Sequence, residues 1–64
     1  MAIHPTAIID PGADIDASVD IGPHVIIGGN VTIGRGTKIH ANAFITGYTN
    51  IGQDNEIHIG AVIG

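Results

Sequence analysis

Isoleucine recurs at every sixth position of the chain without an exception. The series consists of Ile3, Ile9, Ile15, Ile21, Ile27, Ile33, Ile39, Ile45, Ile51, Ile57 and Ile63. An α-helix repeats with a period of 3.6 residues and a strand with a period of 2, so neither explains a period of six. A fixed short period is the mark of a solenoid, and six-residue repeats are typical of a parallel β-helix. We therefore predict an all-β fold in which residues 1–64 form a single hexapeptide-repeat domain.

The position two residues before each isoleucine is occupied mostly by a small residue. These residues are Ala7, Ala13, Val19, Val25, Val31, Thr37, Ala43, Thr49, Asn55 and Ala61. Because a strand directs alternate side chains to opposite faces, the small residue and the isoleucine both point inward and the residue between them points outward. Glycine, aspartate and asparagine after the isoleucine supply tight turns between the short strands.

The repeat resembles that of hexapeptide acyltransferases, in which three hexapeptides make one triangular coil. The resemblance implies a left-handed parallel β-helix of about three and a half coils, although most crossover connections between parallel strands are right-handed. It also implies that residues eighteen apart share a column. The isoleucines would then form three interior stacks.

Three segments carry a narrower resemblance: residues 4–9 (HPTAII), 21–23 (IGP) and 47–57 (GYTNIGQDNEI). They are similar to the N-terminus of UDP-N-acetylglucosamine acyltransferases. Those enzymes begin lipid A synthesis by moving a hydroxyacyl chain from acyl carrier protein to the 3-hydroxyl of the sugar. The resemblance implies a β-helix segment of a longer enzyme. The family's catalytic histidine lies beyond the matched positions, so we carry over no catalytic or cofactor-binding residue and expect no cofactor and no activity from the chain alone.

The eighteen-residue coil sorts the outward residues into columns, and one of these columns is apolar throughout. Its members are Ile8, Ile26, Phe44 and Val62, and Ile59 lies at the adjacent corner. The corresponding columns of the other faces contain Asp20, Lys38 and Glu56, and Asp14, Thr32 and Asn50. An exposed apolar stripe marks an interface in a protein that otherwise presents polar faces. We predict a homo-oligomer joined through this stripe, a parallel trimer as in the resembling family, with the open terminal coils as a second, end-to-end contact.

Histidine is the residue type that suggests a binding site. His4, His40 and His58 share a column with Gly22, and His24 lies round the same corner. A metal or anion site is one interpretation, and polar side chains beside turns are the other. Carbonic anhydrases of the same fold bind zinc with a His-x-x-x-x-His pair that is missing here, so we predict no metal ligand. Tyr48 is expected to pack on the surface.

Composition excludes several classes of function. The chain has 2 basic and 6 acidic residues and a formal net charge of −4, which is unfavourable for binding phosphate backbones. It has no cysteine and no apolar run near the length of a membrane span. No signal peptide is recognisable, so we expect a cytoplasmic protein without nucleic-acid partners.

Two other functions remain compatible with the sequence. One is a minimal or engineered β-helix whose activity is self-assembly. The other is a fragment of a different hexapeptide enzyme, such as a serine or galactoside acetyltransferase or a carbonic anhydrase.

Overall fold

A computed structural model describes residues 2–64 as a succession of short strands separated by turns. The strands are β1 (Ala2–Ile3), β2 (Ile8–Ile9), β3 (Asp14–Ile15), β4 (Asp20–Ile21), β5 (Ile26–Ile27), β6 (Val31–Ile33), β7 (Lys38–Ile39), β8 (Phe44–Ile45), β9 (Thr49–Ile51), β10 (Glu56–Ile57) and β11 (Val62–Ile63). Every strand ends on an isoleucine of the six-residue series. The repeat therefore sets the position of every strand.

The strands form three parallel sheets that make the three sides of a solenoid. Face A has the order β1-β4-β7-β10, face B has β2-β5-β8-β11, and face C has β3-β6-β9. Paired residues are eighteen apart in the sequence, as in Ile3 with Ile21 and Ile15 with Ile33. The architecture is a left-handed parallel β-helix, as predicted.

The coils are joined by backbone hydrogen bonds that extend past the strand ends. The Gly22 N–H donates to the carbonyl of Ile39 at 2.8 Å, and the Gly28 N–H donates to that of Ile45 at 2.8 Å. Side chains add to this at the corners, where Thr6 Oγ1 accepts from the His24 N–H at 2.9 Å. The hydrogen bonds between successive coils therefore continue past the strand ends into the corners.

The core lies on the axis of the solenoid and is fully buried only in its central part. The buried apolar residues are Val19, Ile21, Val25, Ile27, Val31, Ile33, Ile39, Ala43, Ile45 and Ile51. The predicted isoleucine stacks are confirmed, but the outermost members are not sealed from solvent. Ile3 is 42% exposed, and Ile9, Ile15, Ile57 and Ile63 are only partly buried. Asn55, expected to point inward, is exposed.

One polar side chain is buried completely in the centre of the solenoid. Thr37 has no exposed surface, and its hydroxyl donates to the carbonyl of Gly52 at 2.9 Å. A buried hydroxyl without a partner would be costly, so this bond is what allows threonine at an inward position.

Candidate functional site

The outward side chains of face B form a continuous apolar stripe. Strand pairing places Ile8 beside Ile26, Ile26 beside Phe44, and Phe44 beside Val62. Their exposed fractions are 64%, 38%, 41% and 78% in chain order. With about 4.8 Å between neighbouring strands, the stripe is roughly 14 Å long and one side chain wide. We call these four residues the stripe.

The other two faces present polar side chains in the same register. Face A carries Asp20 paired with Lys38, and Lys38 paired with Glu56. Face C carries Asp14 paired with Thr32, and Thr32 paired with Asn50. The apolar character of face B is therefore not a general result of strand propensity, because the same backbone position is polar on both other faces.

The corner between face A and face B extends the apolar surface beyond the stripe. This corner, which we call the A–B corner, contains residues 4–6, 22–24, 40–42 and 58–60. Ile59 lies there and is 72% exposed, so all five residues of the predicted interface are exposed on adjoining parts of one side. Tyr48, at another corner, is 93% exposed, and the expectation that it packs is wrong.

The histidine column also lies at the A–B corner, and its members make specific contacts. The His40 and His58 rings are stacked, with centroids 6.1 Å apart and planes 6° from parallel. His40 Nε2 lies 2.6 Å from Glu56 Oε2. This hydrogen bond, with the nearby charges of His40, His58 and Lys38, holds the pKa of Glu56 below its usual value.

The contact between His40 and Glu56 could not be read from the sequence column alone. Glu56 points outward from face A, sixteen residues after His40, and its side chain reaches round to the corner. Among residues 2–64, no group of three or more His, Cys, Asp or Glu side chains is placed to hold a metal ion.

A shallow groove of about 570 Å³ runs along face A beside the A–B corner. Its lining includes Ala2, Gly22, Pro23, Ala41 and Ile59, with His4 and His40 on either side of Gly22. The exposed surface of the lining is mostly apolar, although the lining also includes Asp20 and Lys38 from the charged column of face A. Apolar surface thus lies on both sides of the A–B corner.

A second depression, on face C, is polar and held by local hydrogen bonds. Asp16 Oδ2 accepts from the backbone N–H of Ser18 at 3.0 Å and from its hydroxyl at 2.7 Å. The backbone hydrogen bond of Ser18 is the main reason that the pKa of Asp16 is below its usual value. Arg35 Nη2 donates to Gln53 Oε1 at 3.1 Å. These contacts order the corner.

Comparison with protein families gives a direct match to the repeat. The family described as "Bacterial transferase hexapeptide (six repeats)" matches residues 2–35 and 21–47, which together cover more than half of the chain. The chain belongs to the bacterial transferase hexapeptide family. No curated protein sequence matches it.

Comparison with solved structures gives a close match within this family. The structure of LpxA from Acinetobacter baumannii is 55% identical in sequence, with a TM-score of 0.95. The match covers 100% of this chain and 25% of the LpxA chain. It confirms the resemblance drawn from the HPTAII and GYTNIGQDNEI segments to the N-terminal part of such an enzyme. Within residues 2–64, no helix could cross a membrane.

Proposed function

We propose that the chain is the N-terminal β-helix segment of an acyltransferase of lipid A biosynthesis, where it acts as scaffold and oligomerisation module. The parent enzyme would move an acyl chain from acyl carrier protein to UDP-N-acetylglucosamine in the cytoplasm. The similarity to LpxA over the whole chain supports the parent activity. The stripe supports the assembly role, and the state we propose is a parallel homotrimer.

The stripe is the observation that carries the proposal. Four large apolar side chains lie in register on one face, and the equivalent positions of the other faces are polar. Leaving such surface in water is unfavourable by about 25 cal/mol per Å² of apolar area. Packing it against a second copy removes that cost, and it also supports a solenoid whose two outer coils are covered on one side only.

Size measurements on variants of the stripe test the assembly. Phe44→Asp would place one carboxylate per chain within the apolar contact, where an unpaired charge is strongly unfavourable. We expect light scattering to give an oligomer for the wild type and a monomer for this variant. Thr32→Asp, which adds the same charge at the equivalent position of face C, serves as the control and should keep the wild-type mass.

Three results would contradict the proposal. A monomeric wild type at micromolar concentration would remove the assembly role. An unchanged mass for Phe44→Asp would show that the contact lies elsewhere. Filaments that dissociate only when the terminal coils are altered would point to end-to-end stacking as the main contact.

The absence of catalysis by this chain is a separate part of the proposal. The polar and stacking contacts of the histidine side chains are those of His4 with Thr6, of His40 with Glu56 and of His40 with His58, and no catalytic residue of the resembling family falls within this chain. We expect no turnover with an acyl carrier protein thioester and UDP-N-acetylglucosamine. Turnover above background that disappears on substitution of a single histidine would overturn this expectation.

A further inference from the structure

We propose that the groove beside the A–B corner receives the stripe of a second copy of the chain. Neighbouring copies would then meet stripe to groove, and the two sides of each contact would be different surfaces. This inference rests on the oligomerisation proposed above. It adds which surface of the partner the stripe contacts and at which level along the solenoid.

The groove lies where the histidine column is interrupted by a glycine, Gly22. A Cβ atom at Gly22 would lie 3.1 Å from the backbone nitrogen of Ala41 and 3.2 Å from the carbonyl carbon of His40. A side chain at this position would therefore require the backbone of the next coil to move by a few tenths of an ångström. Because glycine has no side chain, a notch separates His4 from His40, which lie two coils apart, roughly 10 Å along the axis.

The walls of the notch are fixed by hydrogen bonds. His4 Nδ1 lies 2.8 Å from Thr6 Oγ1, and His40 Nε2 lies 2.6 Å from Glu56 Oε2. Each ring is thus held by a partner on its own chain. Of the remaining lining, Pro23, Ala41 and Ile59 offer apolar surface for a hydrophobic side chain, and Asp20 and Lys38 add two side chains of opposite charge.

The stripe and the groove match level by level along the solenoid. Rotation about an axis parallel to the solenoid keeps every residue at its own height. In such an assembly Ile26 would lie at the height of the Gly22 notch, and Phe44 at the height of Ala41. Val62 would lie at the height of Ile59. Each of these pairs is separated by three or four residues of an eighteen-residue coil, which is about 1 Å of rise.

A second copy is the occupant that fits both surfaces at once. The stripe and the groove of one chain lie on different sides of the same corner, so the stripe cannot reach its own groove. Contact of two stripes would cover only a surface one side chain wide and leave the groove and Ile59 in water. Stripe-to-groove contact covers all of these surfaces, and contacts between unlike surfaces close into a ring when the rotation between neighbouring copies divides a full turn.

The charges at the groove do not oppose this approach. Asp20 and Lys38 lie side by side on face A at the groove margin, so neighbouring charges there have opposite sign. The stripe carries no charge. The contact therefore needs no charged partner, and a second copy of this chain satisfies it.

Disulfide mapping tests the geometry, because the chain contains no cysteine. Two single variants, Phe44→Cys and Ala41→Cys, would be unfolded together in urea, refolded and oxidised. We expect a disulfide-linked dimer that mass spectrometry identifies as one chain of each variant. A mixture of Phe44→Cys with Ala2→Cys, whose cysteine lies on the same groove two coils away, is the control and should give none.

A second pair of cysteine variants is needed because the change at Phe44 could itself prevent assembly. Val62→Cys and Ile59→Cys leave Phe44 in place and should also form a dimer of unlike chains. Disulfide formation by Phe44→Cys or Val62→Cys alone would indicate stripe-to-stripe contact and overturn this inference while leaving the oligomerisation intact. An oligomer without linkage in either mixture would also overturn it, whereas a monomeric wild type would contradict the oligomerisation itself.

Discussion

Ile15 and Ile33 lie in the same interior stack, one coil apart, and their environments differ. Ile33 is 1% exposed, with Ile15 on one side and Ile51 on the other. Ile15 has only Ile33 as a stacking neighbour and is partly buried. The residue type, the strand position and the direction of the side chain are the same. Burial in this fold therefore depends on whether a coil lies on each side, and identical repeats are not energetically equivalent.

The largest predicted effect is the loss of a central isoleucine. Ile33→Ala removes buried surface and leaves a cavity between two coils, which should lower the free energy of unfolding by roughly 2–5 kcal/mol. Ile15→Ala is the matched variant and should cost clearly less, because its site is open on one side. Urea unfolding at one fixed protein concentration measures both, since assembly makes stability depend on concentration. Equal losses would show that the outer coil is sealed in solution.

Gly34 and Gly52, which follow neighbouring strands of face C, allow a central coil and an outer coil to be compared at backbone positions. A Cβ atom at Gly34 would lie 2.8 Å from the carbonyl carbon and oxygen of Gly52, whereas one at Gly52 would meet only Asn55 Nδ2 at 3.6 Å. We expect Gly34→Ala to lower stability by about 1–3 kcal/mol through overpacking.

Gly52→Ala should be neutral or raise stability by a few tenths of a kcal/mol, because alanine has fewer conformations than glycine in the unfolded chain. Thermal unfolding monitored by circular dichroism would distinguish the two variants. A large loss for Gly52→Ala would mean that another molecule or segment covers that coil.

Two threonine hydroxyls test whether the energetic difference between buried and partly buried positions also holds for hydrogen bonds. Thr37 is fully buried and donates to Gly52, whereas Thr49 is only partly buried and donates to the carbonyl of Thr46 at 2.8 Å. Thr37→Val should cost about 1 kcal/mol. Thr49→Val should cost less, because water can replace the lost donor. The difference in denaturant midpoint between the two variants checks this order.

The smallest effect concerns acid stability at the exposed corners. The pKa values of Glu56 and Asp16 are lower in the folded chain than in the unfolded chain, so the unfolded chain binds more protons in the acidic range. Stability from both groups is therefore present above their usual values, 4.5 and 3.8, and is lost as the pH falls below them.

Variants of Glu56 and Asp16 should separate the contributions of the two carboxylates to acid stability. Glu56→Gln and Asp16→Asn should each reduce the loss of stability between pH 5 and pH 3. Added salt should reduce the contribution of Glu56 to acid stability more than that of Asp16. Charges on His40, His58 and Lys38 help to lower the pKa of Glu56, whereas the backbone hydrogen bond of Ser18 is the main cause of the lowered pKa of Asp16. A slope of stability against pH that is unchanged in both variants would contradict this account.

The sequence predicted the strands and the stripe because the repeat controls both. Each isoleucine of the series ends a strand, and the residue before it points outward wherever it falls. The exposure of Ile3 and Asn55 could not be predicted from the repeat. The repeat describes a residue with a coil on each side, whereas these two residues lie in outer coils. Similarly, the reach of Glu56 to His40 depends on side-chain conformation, which the spacing of residues does not determine.

The groove was also absent from the sequence prediction, although its cause was visible. Gly22 was recognised as the exception in the histidine column, but a missing side chain becomes a notch only when its neighbours stand on both sides. His4 and His40 do so because Thr6 and Glu56 hold their rings. Features that arise from one column are thus predictable here, and features that arise between columns are not.

The fixed pairing of residues eighteen apart also has a consequence for how the length of this protein can change. Removal of residues 19–36 would join Ser18 to Thr37 and bring Ile39 to the place of Ile21, so every later column would keep its phase. Removal of seventeen residues would instead send each following isoleucine out of its column. In the gene, loss of 54 nucleotides would therefore remove one whole coil and leave every later residue in its column.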